Sequence, residues 1–373
     1  MNRRELLALG AAATVALGQA KKAFAQATPA RTAPEVETRG LDELYREAKA
    51  EGGRLVVYAG GDLPNGGAPT EQAFKRRFPD LNIRVVVDLS KYHDARIDQQ
   101  LARGRLECDV AHLQTLHDFD RWKSQGVLLA YKPLGWEAVY SQFKDPDGSF
   151  TAIAIVAFGN FVNTTLIPES EAPRDALDYI EPKLKGRLAL VYPHDDDAVL
   201  YQFDRIVGAY GWDYIDKLKA QDIEWRRGTS PTRLHVAEGG KAASFTCSGP
   251  LATPPNATSR FILPRKDVFL TWPQTAAIFA EARHKAAAKL YLSWLLDKER
   301  IEASPAAWPV RRDARIPGGY EPVFNYNTDP AAFRRFMADR ARVERLKFQF
   351  EHLIGRVEGP SPTGVSGLYV ADA

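Results

Sequence analysis

The chain alternates short apolar segments with amphipathic ones, and this alternation limits the folds that it can adopt. Apolar segments at residues 54–60, 83–88 and 108–113 are separated by stretches whose apolar residues recur at helical spacing. Strands that are apolar on both faces and are joined by helices form parallel sheets covered on each side. The pattern therefore predicts an α/β fold.

A similar alternation follows a longer apolar segment at residues 151–158. It predicts strands at residues 187–193, 222–225 and 242–247, and a helical stripe from 199 to 210. The length of 373 residues suits two domains. A later helical stripe at residues 287–295 needs a sheet to cover, and we expect it to pack on the first unit.

The N-terminus carries the pattern of an export signal. Arg3 and Arg4 precede an apolar stretch at residues 6–20, and Ala23 and Ala25 fit the small-x-small cleavage rule. The stretch is shorter than the ~20 apolar residues of a membrane span, so we favour a signal peptide over an anchor. We expect cleavage after Ala25, and then a flexible Ala/Pro/Thr-rich linker over residues 26–39.

Charge and cysteine content narrow the classes of partner. Lys and Arg total 50 and Asp and Glu total 47, so no basic surplus indicates a nucleic-acid partner. Cys108 and Cys247 could pair in an exported chain. Because both lie in predicted strands, two buried thiols are the favoured alternative.

Motifs of enzyme chemistry are missing from the sequence. It contains no G-x-S-x-G, G-x-G-x-x-G, Walker or H-E-x-x-H pattern. Cys247 is the candidate thiol nucleophile, but no histidine stands beside it in sequence. Asp196 lies in a run of three aspartates before the 199–210 helix, where capping is favoured over contact with a ligand or a metal. We predict no enzyme activity, no cofactor and no metal.

Loops after the predicted strands hold the candidate binding residues, because ligands of open α/β sheets bind at the carboxyl ends of the strands. The start of a helix at Ser230 and Pro231 also offers free N–H groups to an anion. The candidate ligand-binding residues are Gly61, Asp62, Lys91, Gln114, Thr115, Asn160, Asp196, Arg227, Thr229, Ser230, Thr246, Ser248 and Trp272.

Several stretches, taken in order, resemble a known family. LDELYREAKAEGGRLVVYAGG, RLECDVAHLQTLHDFDRWKSQGVL and TWPQTAAIFAEARHKAAAKLYLSWLLDKE resemble bacterial periplasmic solute-binding proteins of ABC transporters. The most similar group is the extracellular solute-binding family that includes the ferric-ion-binding proteins. The resemblance covers roughly residues 40–315.

The resemblance implies a two-lobed periplasmic-binding-protein fold of type II. Lobe 1 would hold residues 40–155 and 265–373, and lobe 2 residues 156–264, with chain crossings near 154–158 and 261–270. A periplasmic monomer of this kind captures a small solute in the interlobe cleft and delivers it to an ABC transporter permease in the inner membrane. Ferric or other metal transport, an exported enzyme and a sensor module are the alternatives.

The ferric members carry a His in the first loop, a Glu after the third strand and two adjacent Tyr late in the second lobe. The matching positions here are Asp62, Gln114 and residues 245–248, which read FTCS. Because Fe³⁺ prefers phenolate and carboxylate oxygens, we expect no tight iron binding. Lys91, Arg226 and Arg227 fall on loops assigned to the cleft, so we expect an anionic or polar solute.

Overall fold

The computed structural model describes residues 33–304 and 306–370, so the predicted signal peptide lies outside the described residues. The strands are β1 Glu35–Val36, β2 Arg54–Gly60, β3 Asn82–Asp88, β4 Val110–Leu113, β5 Tyr131–Lys132, β6 Thr151–Ala157, β7 Gly159–Asn163, β8 Ala189–Val191, β9 Glu224–Arg226, β10 Ala243–Cys247, β11 Ser259–Ile262 and β12 Thr271–Ile278. The α-helices are α1 Leu41–Ala50, α2 Ala68–Arg77, α3 Ser90–Ala102, α4 Leu116–Ser124, α5 Asp197–Tyr210, α6 Asp213–Lys219, α7 Thr229–Ala237, α8 Lys285–Leu295, α9 Lys298–Glu302, α10 Ala332–Ala338 and α11 Arg340–Ile354. None of these helices is long and apolar enough to cross a membrane.

The first lobe is built on a five-stranded sheet with the order β3-β2-β4-β12-β6. Strand β2 pairs in parallel with β3 and β4, as the alternation predicts, whereas β12 is antiparallel to both of its neighbours. Helices α1 and α8 pack together against this sheet, so that Leu44, Leu290 and Trp294 share one core with Val57. The late helical stripe therefore covers the first sheet.

The second lobe contains an antiparallel sheet with the order β10-β7-β11. The parallel pair β8-β9 joins it through a bridge between Leu188 and Ala243. Helix α5 is buried against this lobe through Val199, Phe203 and Ile206.

The chain changes sheet twice. Strand β6 of the first sheet continues through Phe158 into β7 of the second, and β11 returns to β12 across residues 263–270. Helices cover the sheets, and the α/β fold with two hinge crossovers is confirmed. Cys108 and Cys247 are both buried and free, and they lie in different core clusters.

The C-terminal helices differ from the expectation that residues 265–373 all join the first lobe. Phe333, Val343 and Phe350 lie in the core cluster of the second lobe, where the ring of Phe350 is 5.5 Å from that of Phe203. The apolar sides of α10 and α11 cover α5, which is itself buried on most of its surface. Helix α10 also contacts α4 and β12 of the first lobe.

The segment expected to be a flexible linker also differs from its prediction where it is described. Strand β1 pairs in parallel with β5. The buried carboxylate of Glu37 accepts hydrogen bonds from Tyr131 Oη at 2.7 Å and from Arg39 Nε at 2.8 Å. These contacts attach residues 35–39 to the first lobe, although their composition resembles that of a linker.

Candidate functional site

A cavity of about 350 Å³ lies between the two lobes, beside the strands that cross from one to the other. Gly60 and Ser90 follow strands of the first sheet, and residues 195–197 and Ser230 belong to the second lobe. The predicted binding residues that line this cavity are Gly61, Asp62, Lys91, Gln114, Asp196, Thr229, Ser230, Ser248 and Trp272.

The other four predicted residues point elsewhere. Thr115 is buried at the start of α4, and Asn160 donates to the Arg174 carbonyl oxygen at 2.7 Å, away from the cavity. Thr246 is buried behind the strand end, where its Oγ1 accepts from Val191 N at 3.0 Å. Thr246 lies within β10 and is buried in the core, whereas Ser248 follows the end of this strand and lines the cavity. Arg227 lies in a separate surface groove.

The first-lobe wall depends on a close approach of three loops. A Cβ at Gly60 would lie 2.2 Å from Ser90 Oγ, so a larger residue would displace this hydroxyl. Ser90 Oγ in turn accepts a hydrogen bond from Gln114 N at 3.0 Å. The ends of β2, β3 and β4 are thereby held together, and Gln114 is placed at the cavity.

Asp62 bridges the lobes. Its Oδ2 accepts from Thr229 N at 2.5 Å, from Thr229 Oγ1 at 2.8 Å and from Ser230 N at 3.0 Å. A carboxylate is favourable at a helix N-terminus, because free N–H groups and the helix dipole both attract it. The start of α7, which the sequence predicted as an anion site, therefore already holds a carboxylate of the chain itself.

Asp195 neutralises two of the basic residues predicted to contact the solute. Its carboxylate accepts from Lys91 Nζ at 3.0 Å and from Arg227 Nε at 2.8 Å. Although burial alone would raise the pKa of Asp195, hydrogen bonds and charges from Arg227 and Lys91 hold it below its ordinary value. The third basic residue, Arg226, pairs with Glu224 at 2.5 Å.

Asp196 caps helix α5, as the sequence predicted. Its Oδ1 accepts from Ala198 N at 2.8 Å and from Val199 N at 3.0 Å. Burial and the nearby charge of Asp197, opposed by the hydrogen bond from Val199, raise the pKa of Asp196 to about 6. The main cavity is thus rich in oxygen atoms that accept hydrogen bonds.

Sequence reasoning missed two groups at the cavity, Arg300 and His112. The Arg300 guanidinium stacks on Trp294, with its carbon 4.3 Å from the ring centroid, and its Nη1 donates to Leu295 O at 3.2 Å. The His112 Nε2 atom is buried and has no partner among the described residues. Burial, aided by the charge of Arg300, lowers the pKa of His112 to about 4, so its ring is neutral at pH 7. Arg300 is assigned to the cavity only by the structure, because the packing of α9 beside the cleft brings its side chain there.

A second cavity, of about 480 Å³, adjoins the main cavity. It adds Arg233 of α7 and the ring of Trp308 to the lining, and it contains no carboxylate among the described residues. The residues that line both cavities are Ile153, Val156, Ser248 and Arg300.

Comparison with known proteins identifies the family to which the chain belongs. The family model for bacterial extracellular solute-binding proteins matches residues 116–315, which is more than half of the chain. The chain belongs to this family. No curated protein sequence matches it.

Solved structures of other solute-binding proteins share the fold. The periplasmic binding protein AfuA from Actinobacillus pleuropneumoniae is 20% identical with a TM-score of 0.65, over 81% of this chain and 98% of that one. A substrate-binding protein of an ABC transporter from Agrobacterium tumefaciens is 14% identical with a TM-score of 0.68, over 80% and 93%. Iron-bound HitA from Pseudomonas aeruginosa is 16% identical with a TM-score of 0.60, over 80% and 99%.

The resemblance matches three positions of this solute-binding protein with iron ligands of the ferric-ion-binding members. The residues at these positions make different contacts here. Asp62 is bonded to the start of α7, Gln114 is neutral, and Phe245 and Cys247 are buried in the core. Among residues 33–304 and 306–370, no group of three or more His, Cys, Asp or Glu side chains could hold a metal ion.

Proposed function

We propose that this protein captures a small polar or anionic solute between its lobes and delivers it to the permease of an ABC importer. The observation that carries this proposal is the origin of the cavity lining. Gln114 comes from the first lobe, and Asp196 and Ser248 come from the second. A solute that contacts both lobes favours their closed arrangement, and hinge closure of this kind is how binding proteins enclose ligands.

The proposal places the mature protein in the periplasm as a monomer. It is supported by the export pattern of residues 1–25 and by membership of an extracellular solute-binding family. AfuA was solved with fructose 6-phosphate and HitA with iron, so the fold accommodates solutes of different chemistry. The hydroxyls and the amide of this cavity suit the former class better.

A thermal-shift screen tests solute capture. Residues 26–373 are purified and heated with sugars, sugar phosphates, organic acids, phosphonates and metal ions. We expect one class to raise the unfolding temperature in a concentration-dependent way. Gln114→Ala should weaken binding of that solute about fivefold, since one neutral hydrogen bond contributes about 1 kcal/mol. The exposed Gln125→Ala serves as the matched control.

Two results would contradict the proposal. One is a complete absence of stabilisation by every class of compound. The other is binding that Gln114→Ala leaves unchanged. Delivery to an importer is tested in cells, where deletion of the gene should abolish uptake of the identified solute. Normal uptake after deletion would favour the sensor alternative.

A further inference from the structure

We propose that Arg233 and Arg300 form a subsite for the anionic group of the solute, in the second cavity beside the main one. This inference rests on the proposed function and specifies its substrate class. The bound compound would carry a phosphate, phosphonate or carboxylate at one end. The remainder would carry hydroxyl or ammonium groups and would lie in the main cavity.

The two arginines differ from the other basic residues around the cleft in having no ion-pair partner among the described residues. Lys91 and Arg227 both pair with Asp195. Neither Arg233 nor Arg300 lies within 4 Å of a carboxylate oxygen among the described residues, and the Arg300 guanidinium donates to the carbonyl oxygen of Leu295. Guanidinium donors therefore remain available on both side chains.

Both arginines are half-buried, which makes the missing counter-charge costly. The Arg233 guanidinium carbon lies 5.9 Å from the centroid of the Phe161 ring, and that of Arg300 lies over Trp294. Burial lowers the pKa of Arg300, and the charges of Tyr291 and Asp297 only partly offset this. A buried cation is stabilised by a partner that accepts charge-assisted hydrogen bonds, and an anion in this cavity would supply one.

The two cavities differ in their charged groups. The main cavity is lined by the carboxylates of Asp62 and residues 195–197 together with Lys91 and Arg300, whereas the lining of the second contains Arg233 and Arg300 with no described carboxylate. An anionic group in the main cavity would meet these carboxylates, whereas in the second cavity it would meet two guanidinium groups and no described carboxylate. The carboxylates in turn favour hydroxyl or ammonium donors, which orients an elongated solute along the cleft.

Each lobe supplies one of the arginines. Arg233 lies on α7 of the second lobe, and Arg300 lies on α9, directly after the helix that covers the first sheet. An anion that contacts both would connect the lobes, and the Ser248 hydroxyl at the boundary of the two cavities is a further donor.

The experiment is calorimetry with glucose 6-phosphate, fructose 6-phosphate, gluconate, citrate, inorganic phosphate and glucose as probes. Phosphorylated and carboxylated probes distinguish the two sources of negative charge. We expect at least one probe with both an anionic group and hydroxyls to bind more tightly than glucose and inorganic phosphate. Arg233→Gln and Arg300→Gln should each weaken that binding about tenfold or more.

Arg226→Gln is the matched control, because it removes the same charge from a residue paired with Glu224. Arg300→Lys keeps the charge and should retain more binding than Arg300→Gln, which separates a binding role from a folding defect. Binding of an anion that is unchanged in both Gln variants overturns the subsite. Binding of glucose alone overturns the subsite but leaves the proposed function intact. If no probe and no compound of the broader screen binds, both fail.

Discussion

The contribution of an ion pair to stability depends on whether the pair is buried, and two ion pairs of the first lobe illustrate this dependence. Asp88 is completely buried, and its Oδ2 pairs with Arg96 Nη2 at 2.8 Å. Its Oδ1 accepts from Thr363 Oγ1 at 2.8 Å. Asp42 pairs with Arg77 at 2.6 Å, but on the surface. The two pairs have similar geometry and different access to water.

We expect Asp88→Ala to lower the free energy of unfolding by about 3–5 kcal/mol, because it leaves the buried Arg96 guanidinium without its carboxylate partner. Asp42→Ala should lower it by less than about 1 kcal/mol, since water replaces the lost partner. Urea unfolding followed by circular dichroism measures both values. Equal effects of the two substitutions would contradict this prediction, because they would show that water can replace the lost partner of Arg96.

A second residue-scale effect concerns pH. Burial, together with the charge of Asp118 and a hydrogen bond with it, raises the pKa of Asp94 to about 8. Asp197 and Asp98 add further negative charge nearby. The folded protein therefore retains a proton that the unfolded chain releases above pH of about 4. Because the folded state binds more protons in this interval, the contribution of Asp94 to stability decreases as pH rises from about 4 to about 8.

Asp94→Asn should remove this contribution, since an amide can still donate to Asp118 but does not ionise. We expect the stability difference between the variant and the wild type to shift in favour of the variant between pH 5 and pH 8. Urea midpoints measured at both values test it, with Asp42→Asn as the control. Parallel pH profiles for wild type and Asp94→Asn would contradict the prediction.

At the scale of elements, the C-terminal segment adds a further connection between the lobes, beyond the two changes of sheet. After α11, which packs in the second-lobe core, residues 355–370 run to helix α3 of the first lobe. Arg227 Nη1 donates to Gly359 O at 3.1 Å, and Gln100 Nε2 donates to Leu368 O at 2.7 Å. Val370 is buried in the same core cluster as Ile97.

Truncation after Gly355 should therefore lower the free energy of unfolding by at least about 2 kcal/mol, because buried donors of Arg96 and Gln100 lose their acceptors. It should also increase the radius of gyration measured by small-angle scattering, since one connection between the lobes is removed. Thr363→Val, which removes the hydroxyl that bonds to Asp88 and Ser361 but keeps the segment, should have a smaller effect on both. An unchanged unfolding curve for the truncated chain would show that the segment does not support the fold.

At the scale of the whole molecule, the two-lobed fold is shared with iron-bound HitA, but the side chains at the ferric positions are not suited to iron. We expect protein purified from a bacterial periplasm to contain far less than one iron per chain by elemental analysis, because no group of three or more His, Cys, Asp or Glu side chains among the described residues could hold a metal ion. Addition of ferric citrate should not raise the unfolding temperature. A coloured protein with stoichiometric iron would refute this prediction.

The sequence by itself determined the features that arise from local pattern. Apolar segments and helical stripes specify the α/β class and the helix that returns to the first sheet, because side-chain periodicity follows from backbone geometry. Asp196 was identified as a helix cap for the same reason, since capping involves N–H groups two and three residues away. Loops after strands were correctly expected to approach the cleft, because parallel strands end at one edge of a sheet.

Tertiary structure alone decided which charged groups remain free in that cleft. Asp62 bonds to Thr229, and Lys91 to Asp195, across more than a hundred residues of chain, so no local pattern reveals either contact. The same contacts occupy the basic residues that the sequence had assigned to the solute and leave Arg233 and Arg300 without a described carboxylate. Helices α10 and α11 were assigned to the wrong surface for a related reason: an amphipathic stripe indicates that a helix is covered, while the shape of the assembled core decides by what.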